Sequence, residues 1–359
     1  MDLEFFSGYL QPRELAQGRV ALVCRSWLHT HRALAWKDMV LTAGKADEIQ
    51  PFLTPADAHA TVQSFLSAPN GVLEWATLSA ESLTLLISEP EDFLDHNEKW
   101  MRLSFHRLSR LVIKGPNHVQ HGRSLALSGL DGLRFAGMLS KLNQTVHTLI
   151  LDAAVSNLED RNCQECMTAI VCLFPKLRTL DIPWPAKPLF LGPQQLCLLE
   201  CCRGLGVDLQ NLGQSWMAHA AHLKQLHIEI YDRHRHWHPA CLRADYDCGV
   251  LFRFLHAKCP EINFLSIVLR EYGSVKAEHF DYIPASIKYL VLSLDDVVVE
   301  GLDYEEEYYP KDYEAEIICP MLRKWVPDSC KLYVLKRLWI LDMEDPVSFI
   351  TAADRAASA

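Results

Sequence analysis

Between residues 76 and 345 one apolar phrase recurs: an aliphatic residue followed three and five positions later by two more. It reads Leu108-Leu111-Ile113, Val146-Leu149-Leu151, Leu177-Leu180-Ile182, Leu223-Leu226-Ile228, Ile262-Leu265-Ile267, Ile287-Leu290-Leu292 and Leu335-Leu338-Ile340, with a weaker copy at Leu83-Leu85-Ile87. The last two positions of each copy alternate with polar or variable ones, which is the period of a strand with one buried face. Several copies follow text with helical spacing: Leu133 to Leu142, Cys166 to Phe174 ahead of Pro175, and Val250 to His256 ahead of Pro260. The predicted unit is therefore helix, turn and short strand. Such a unit cannot bury its strand face alone, so copies must stack, with parallel strands on one side and helices on the other.

This pattern resembles a leucine-rich repeat and predicts an irregular leucine-rich-repeat-like α/β solenoid over 76–345. The intervals run from 25 residues (Ile262 to Ile287) to 48 (Ile287 to Leu335), against ~20–29 in regular repeats. Inserted helices or loops are expected in the long intervals. A non-solenoid βαβ domain is the other fold that the phrases allow, because the asparagine or cysteine ladder position of strict repeats is mostly absent.

Upstream the pattern changes. In Leu10 to Leu41, Leu15, Leu22, Val23 and Trp27 fall close to a 3.6-residue period and leave Arg19, Arg25 and His29 mostly off the apolar stripe. Pro12 can open such a helix, since its missing N–H is unneeded in the first turn. From Thr42 to about Pro69 the text turns polar and alanine-rich. This reads as a connector, with one helix expected from Ala56 to Leu66, where Val62, Phe65 and Leu66 share a face. The resulting division is 1–41, a small all-α module; 42–75, the connector; 76–345, the repeat domain; and 346–359, a tail.

The order Leu10, Glu14-Leu15, then Leu22-Val23-Cys24-Arg25-Ser26-Trp27, then Trp36, Val40 and Leu41 resembles the F-box, in particular the F-box-like domains of fungal proteins. That family usually opens on Leu-Pro-x-Glu. Here Asp2, Leu3, Phe6 and Leu10 match only later positions of the first helix, so that helix is expected to be short or to lack its start. The resemblance implies a three-helix module that docks on the Skp adaptor, and through it a cullin, in a Skp–cullin–F-box ubiquitin ligase. Leu10, Pro12, Leu15, Val23 and Trp27 are the adaptor-binding residues it implies. Repeat arrays of this kind commonly follow an F-box in the same family.

Composition narrows the partner classes. The chain has 359 residues, 49% hydrophobic and 22% charged, as in a folded protein. Its net charge of −10 argues against general nucleic-acid or anionic-membrane binding. From Asp295 to Glu316 ten acidic residues face the single Lys311, a net of −9, so the remainder is near neutral. No basic segment precedes an apolar run at Met1, and no stretch approaches the ~18 apolar residues of a membrane span. A cytoplasmic or nuclear location is expected. The twelve cysteines lie mostly in apolar text and read as small buried hydrophobes.

Three clusters could carry chemistry. His234, His236 and His238, followed by Cys241 and Cys248, offer zinc-competent groups, yet the paired spacing of a structural site is missing. Cys163-x2-Cys166 also lacks a second pair. The acidic run, with Glu305, Glu306, Glu307, Tyr308 and Tyr309, offers a docking surface for a basic partner. There is no Walker loop, His-Glu-x-x-His or Gly-x-Ser-x-Gly, and Gly204-x-Gly206 does not continue as a dinucleotide loop. The expected function is thus non-catalytic and cofactor-free: a substrate receptor that holds an unknown target protein on the repeat domain. A repeat scaffold outside any ubiquitin ligase is the second reading, and a metal-dependent enzyme using His234, His236 or Cys241 the third.

Overall fold

The computed structural model describes residues 36–43, 60–87, 93–114, 129–152, 161–182, 189, 191, 196–207, 209–230, 248–270, 274–295, 298–299 and 322–335. Two compact units divide the chain, Met1–Gly204 and Leu205–Ala359. Each is α/β and built on a parallel sheet.

In the first unit the strands are β1 (Asp38–Ala43), β2 (Thr61–Ser64), β3 (Ser82–Ile87), β4 (Arg110–Lys114), β5 (Thr148–Asp152), β6 (Thr179–Asp181) and β7 (Cys201–Val207), whose last residues pass into the second unit. They pair in the order β2-β1-β3-β4-β5-β6-β7, every pair parallel. The register lines up one apolar row, Met39, Leu83, Leu111, Leu149, Leu180 and Cys202. Leu41, Leu85, Ile113 and Leu151 make the next row, and all ten side chains are buried. At each strand start one carbonyl accepts two amides from the following copy. Lys37 O takes Glu81 N (2.8 Å) and Ser82 N (3.0 Å), and Glu81 O takes Ser109 N (2.8 Å) and Arg110 N (3.1 Å). Ser109, His147 and Arg178 continue the series. A slip of one residue would turn the apolar rows outward, so packing and these bonds enforce the same register.

This register corrects the sequence reading in several places. Leu83 and Leu85 stand opposite Leu111 and Ile113, so the copy there is Ala80-Leu83-Leu85 and not Leu83-Leu85-Ile87. Trp36-Met39-Leu41 is a further copy, which puts the sheet's β1 partly inside the span assigned to the helical module. Leu199-Cys202-Gly204 is another, hidden because cysteine and glycine replace two aliphatic residues. The helix expected from Ala56 to Leu66 is not formed over its described part: Thr61–Ser64 is the strand β2, with alternating burial. Thr61 and Val62 are β-branched and suit a pleated surface better than a helix. In β2 the buried Thr61 and Gln63 occupy the positions of Met39 and Leu41.

The described helices of this unit are α1 (Asn70–Thr77), α2 (Asn97–Arg102), α3 (Gly129–Leu139), continued by a 3₁₀ turn at Ser140–Leu142, and α4 (Arg161–Cys172). Of these, α3 and α4 arise where the helical text lies, whereas α1 and α2 were not expected. In α4, Cys166, Met167, Ile170 and Val171 recur at helical spacing and are buried, and Pro175 follows its end. Near the N-terminal edge the core is aromatic. Phe65 stacks on Phe93 at 4.6 Å, Trp100 meets both edge-on at 6.3 and 6.4 Å, and the Trp100 indole N–H donates to Met138 O at 2.8 Å.

The second unit adds β8 (Gln225–Ile230), β9 (Phe264–Arg270), β10 (Ser274–Val275), β11 (Tyr289–Asp295), β12 (Val298–Val299) and β13 (Lys331–Leu335). The order β8-β9-β11-β13 is again parallel, and β10 pairs with β12 separately. Leu226, Leu265, Leu290 and Leu332 form one row, and Ile228, Ile267, Leu292 and Val334 the next. The last copy thus centres on Leu332 and Val334. Of the expected Leu335-Leu338-Ile340, Leu335 ends β13 while Leu338 and Ile340 lie outside the described residues. Helix α5 (Cys248–Lys258) buries Leu251, Phe252 and Leu255, and Phe252 contacts Phe280 of the 3₁₀ helix Ala277–Tyr282 at 5.8 Å.

Candidate functional site

In a parallel sheet successive side chains alternate between faces, so the residues between the apolar rows form an outer face. In the first unit its central row is Val62, Val40, Thr84, Val112, Ile150, Asp181 and Arg203. Most of that row is apolar, and Val40 and Leu86 are buried against Ala60 and Val62. The row closes on a two-pronged ion pair, with Arg203 Nε 2.5 Å and Nη2 2.7 Å from the two Asp181 carboxylate oxygens. Nearer the strand starts, Arg110 Nη1 donates to Ser82 Oγ at 3.1 Å.

The outer face of the second unit is different. Its first row is Gln225, Phe264, Tyr289 and Lys331, and its second is His227, Ser266, Val291 and Tyr333. Phe264 and Val291 form a buried pair, with Tyr289 and Tyr333 packed half-exposed on them. The Lys331 ammonium lies 5.9 Å from the centre of the Tyr289 ring, within cation–π reach. His227 Nδ1 lies 2.6 Å from Ser266 Oγ. The face thus combines two half-buried tyrosine rings with one lysine around a buried middle of Phe264, Ser266 and Val291.

A second concave feature lies on the helical side of the first unit. Met101, 61% exposed, lines a groove of about 500 Å³ together with Leu94, Asp95, Met138 and Lys141. Lys141 Nζ donates to Trp100 O (2.7 Å) and Leu103 O (2.6 Å), which ties off the C-terminal end of α2. Lys99 Nζ donates to Leu66 O (3.2 Å) and Ala68 O (2.8 Å) in the turn that follows β2. Burial lowers the pKa of both lysines.

The residues singled out by sequence fall unevenly. Leu10, Pro12, Leu15, Val23 and Trp27 lie outside the described residues, as do Glu305, Glu306, Glu307, Tyr308 and Tyr309, and His234, His236, His238 and Cys241. Cys166 and Cys248 are buried in α4 and α5. Among the described residues no cluster of His, Cys, Asp and Glu could hold a metal ion, and no helix is long and apolar enough to cross a membrane. The aromatic outer face of the second unit was missed because its members are scattered over four copies. The signal was the variable position just before each second aliphatic residue, namely Phe264, Tyr289 and Lys331.

No family model matches the chain, and no curated protein matches it either. A Bacteroides fragilis protein whose crystal structure was determined by a structural genomics consortium is similar at 11% identity and a TM-score of 0.29, over 82% of this chain and 75% of that one.

Proposed function

We propose that this chain is the substrate-receptor subunit of a Skp–cullin–F-box ubiquitin ligase, with an irregular leucine-rich-repeat-like domain as its target-holding part. The observation that carries this reading is one succession within a single chain. A Leu-Val-Cys-Arg-x-Trp phrase at Leu22 to Trp27 precedes stacked helix–turn–strand copies whose apolar rows are in register. The mechanism is proximity. The N-terminal module holds the adaptor through Leu10, Pro12, Leu15, Val23 and Trp27, while the sheet holds a target whose lysines are thereby kept near a ubiquitin-charged enzyme. The receptor itself supplies binding surface and no reacting group.

The test is co-expression with a Skp adaptor, read by size-exclusion chromatography with light scattering. A one-to-one complex is expected, abolished by Trp27→Ala and unaffected by Tyr309→Ala, with circular dichroism unchanged in both variants. Association that survives Trp27→Ala sinks the assigned interface. A folded chain that ignores the adaptor leaves a repeat scaffold as the better reading.

A further inference from the structure

We infer that residues 346–357 dock on the open edge of the second unit's sheet as an amphipathic helix, closing the stack at β13, where no further copy follows. The inference concerns how the sheet is sealed and stands apart from the adaptor and target readings above.

Three observations carry it. First, the inner rows are sealed everywhere but at their end. Leu226, Leu265 and Leu290 are buried, as are Ile228, Ile267 and Leu292, whereas Leu332 and Val334 in the same rows are half-exposed. Strands β8, β9 and β11 each have a later copy beside them, while among the described residues β13 pairs with β11 alone. A parallel sheet is covered on both faces, and a stack of copies needs its last apolar surface closed. Second, the chain supplies closing text directly after β13. Only Lys336 and Arg337 separate Leu335 from the apolar run Leu338 to Leu341. That is too short for a crossover to a further parallel strand, which takes about a dozen residues or more. Beyond the run, Asp345 and Pro346 form a helix start, because aspartate accepts amides of the first turn and proline lacks only an N–H that this turn does not need. Third, over 346–357 the residues Phe349, Ile350, Ala353, Ala356 and Ala357 share one stripe at helical spacing, with Ser348, Thr351 and Arg355 opposite. A helix over 346–357 is about 18 Å long, against roughly 17 Å for the five residues of β13. Its alanines allow close approach to the strand, and Phe349 and Ile350 supply the apolar bulk that Leu332 and Val334 lack on their open side. A second copy of the chain is the other occupant such an edge could take, but the tethered segment reaches it at a far higher effective concentration.

The experiment is hydrogen exchange by mass spectrometry on the full chain, following peptides over Lys331–Leu335, with peptides over Gln225–Ile230 as the internal reference. Ile350→Asp, on the apolar stripe, is expected to speed exchange in β13 about tenfold or more and to leave β8 unchanged, whereas Arg355→Glu, on the opposite side, should change neither. Where Ile350→Asp speeds exchange in both strands by unfolding the unit, the milder Ala353→Gln takes its place and is expected to act on β13 alone. Unchanged exchange in β13 with both stripe variants, an equal effect of Arg355→Glu, or an Ala353→Gln effect that is the same in β13 and β8 would each overturn the inference. Light scattering on the wild-type chain tests the other occupant. A monomer with β13 protected supports the inference, and a dimer whose dissociation on dilution exposes β13 assigns the edge to a second copy and overturns it.

Discussion

At the scale of single residues, Gly204 is the position least open to change. Its φ is +84°, and an added Cβ would lie 2.2 Å from Ile182 O and 2.6 Å from Ile182 Cβ. Gly204→Ala therefore combines a disfavoured backbone with a clash against Ile182, just past β6, and should cost at least ~1–3 kcal/mol in urea unfolding. An unchanged midpoint would mean that β7 can move away from Ile182. Two thiols make stability depend on pH. Burial pushes Cys259 and Cys330 up from 9.0 to about 11, with Arg323 pulling the latter back only partly. The folded state thus favours the neutral thiol. Its contribution is complete below pH 9, the unfolded value, and is lost as pH rises through about 11. Cys259→Ser keeps a donor for Ala220 O, which Cys259 Sγ contacts at 3.4 Å, and removes the titration. The stability difference between wild type and Cys259→Ser should therefore shift against the wild type from pH 9 to 11. Lys99 and Lys141, whose pKa values are lowered, act in the opposite sense and are common to both proteins.

At the scale of elements, the apolar rows dominate the energetics. Leu265 stands between Leu226 and Leu290 and is fully buried, so Leu265→Ala should cost about 2–5 kcal/mol by chemical denaturation. Val334→Ala removes a side chain that is half-exposed in β13, and its cost should be clearly smaller. Equal costs would contradict the assignment of these rows to one buried face. Most strands were legible for this same reason, because Leu111, Leu149, Leu180, Leu226, Leu265 and Leu290 each carry an aliphatic partner two residues on, at Ile113, Leu151, Ile182, Ile228, Ile267 and Leu292. Those that escaped have a substituted phrase: Trp36 and Ala80 at the first position, Gly204 at the third, and Thr61 and Gln63 in β2. A glycine at a ladder position satisfies the backbone geometry without an apolar side chain to betray it. The connector helix was misread because Val62, Phe65 and Leu66 fit a helical face as a list of spacings, whereas β-branching at Thr61 and Val62 decided the backbone.

At the scale of the whole molecule, charge and apolar surface are distributed separately. Of the net charge of −10, the run from Asp295 to Glu316 accounts for −9, while the outer face of the first unit's sheet is largely aliphatic and partly buried. A parallel sheet with apolar residues on both faces behaves as an internal layer, which the alternation within each phrase did not reveal, because Val40, Val112 and Ile150 occupy positions that sequence alone treats as variable. The proposed adaptor-binding set, Leu10 to Trp27, lies outside the described residues, and the aromatic face of the second unit exists only once four distant copies are aligned. β1 is paired on both edges, by β2 on one side and by β3 on the other. After β3 each strand of the first unit's sheet pairs with its predecessor, so copies succeed one another in one direction only. Duplication of copies after β3 would extend that sheet without disturbing what is already built, whereas loss of β1 would leave β2 without the strand on which it is laid.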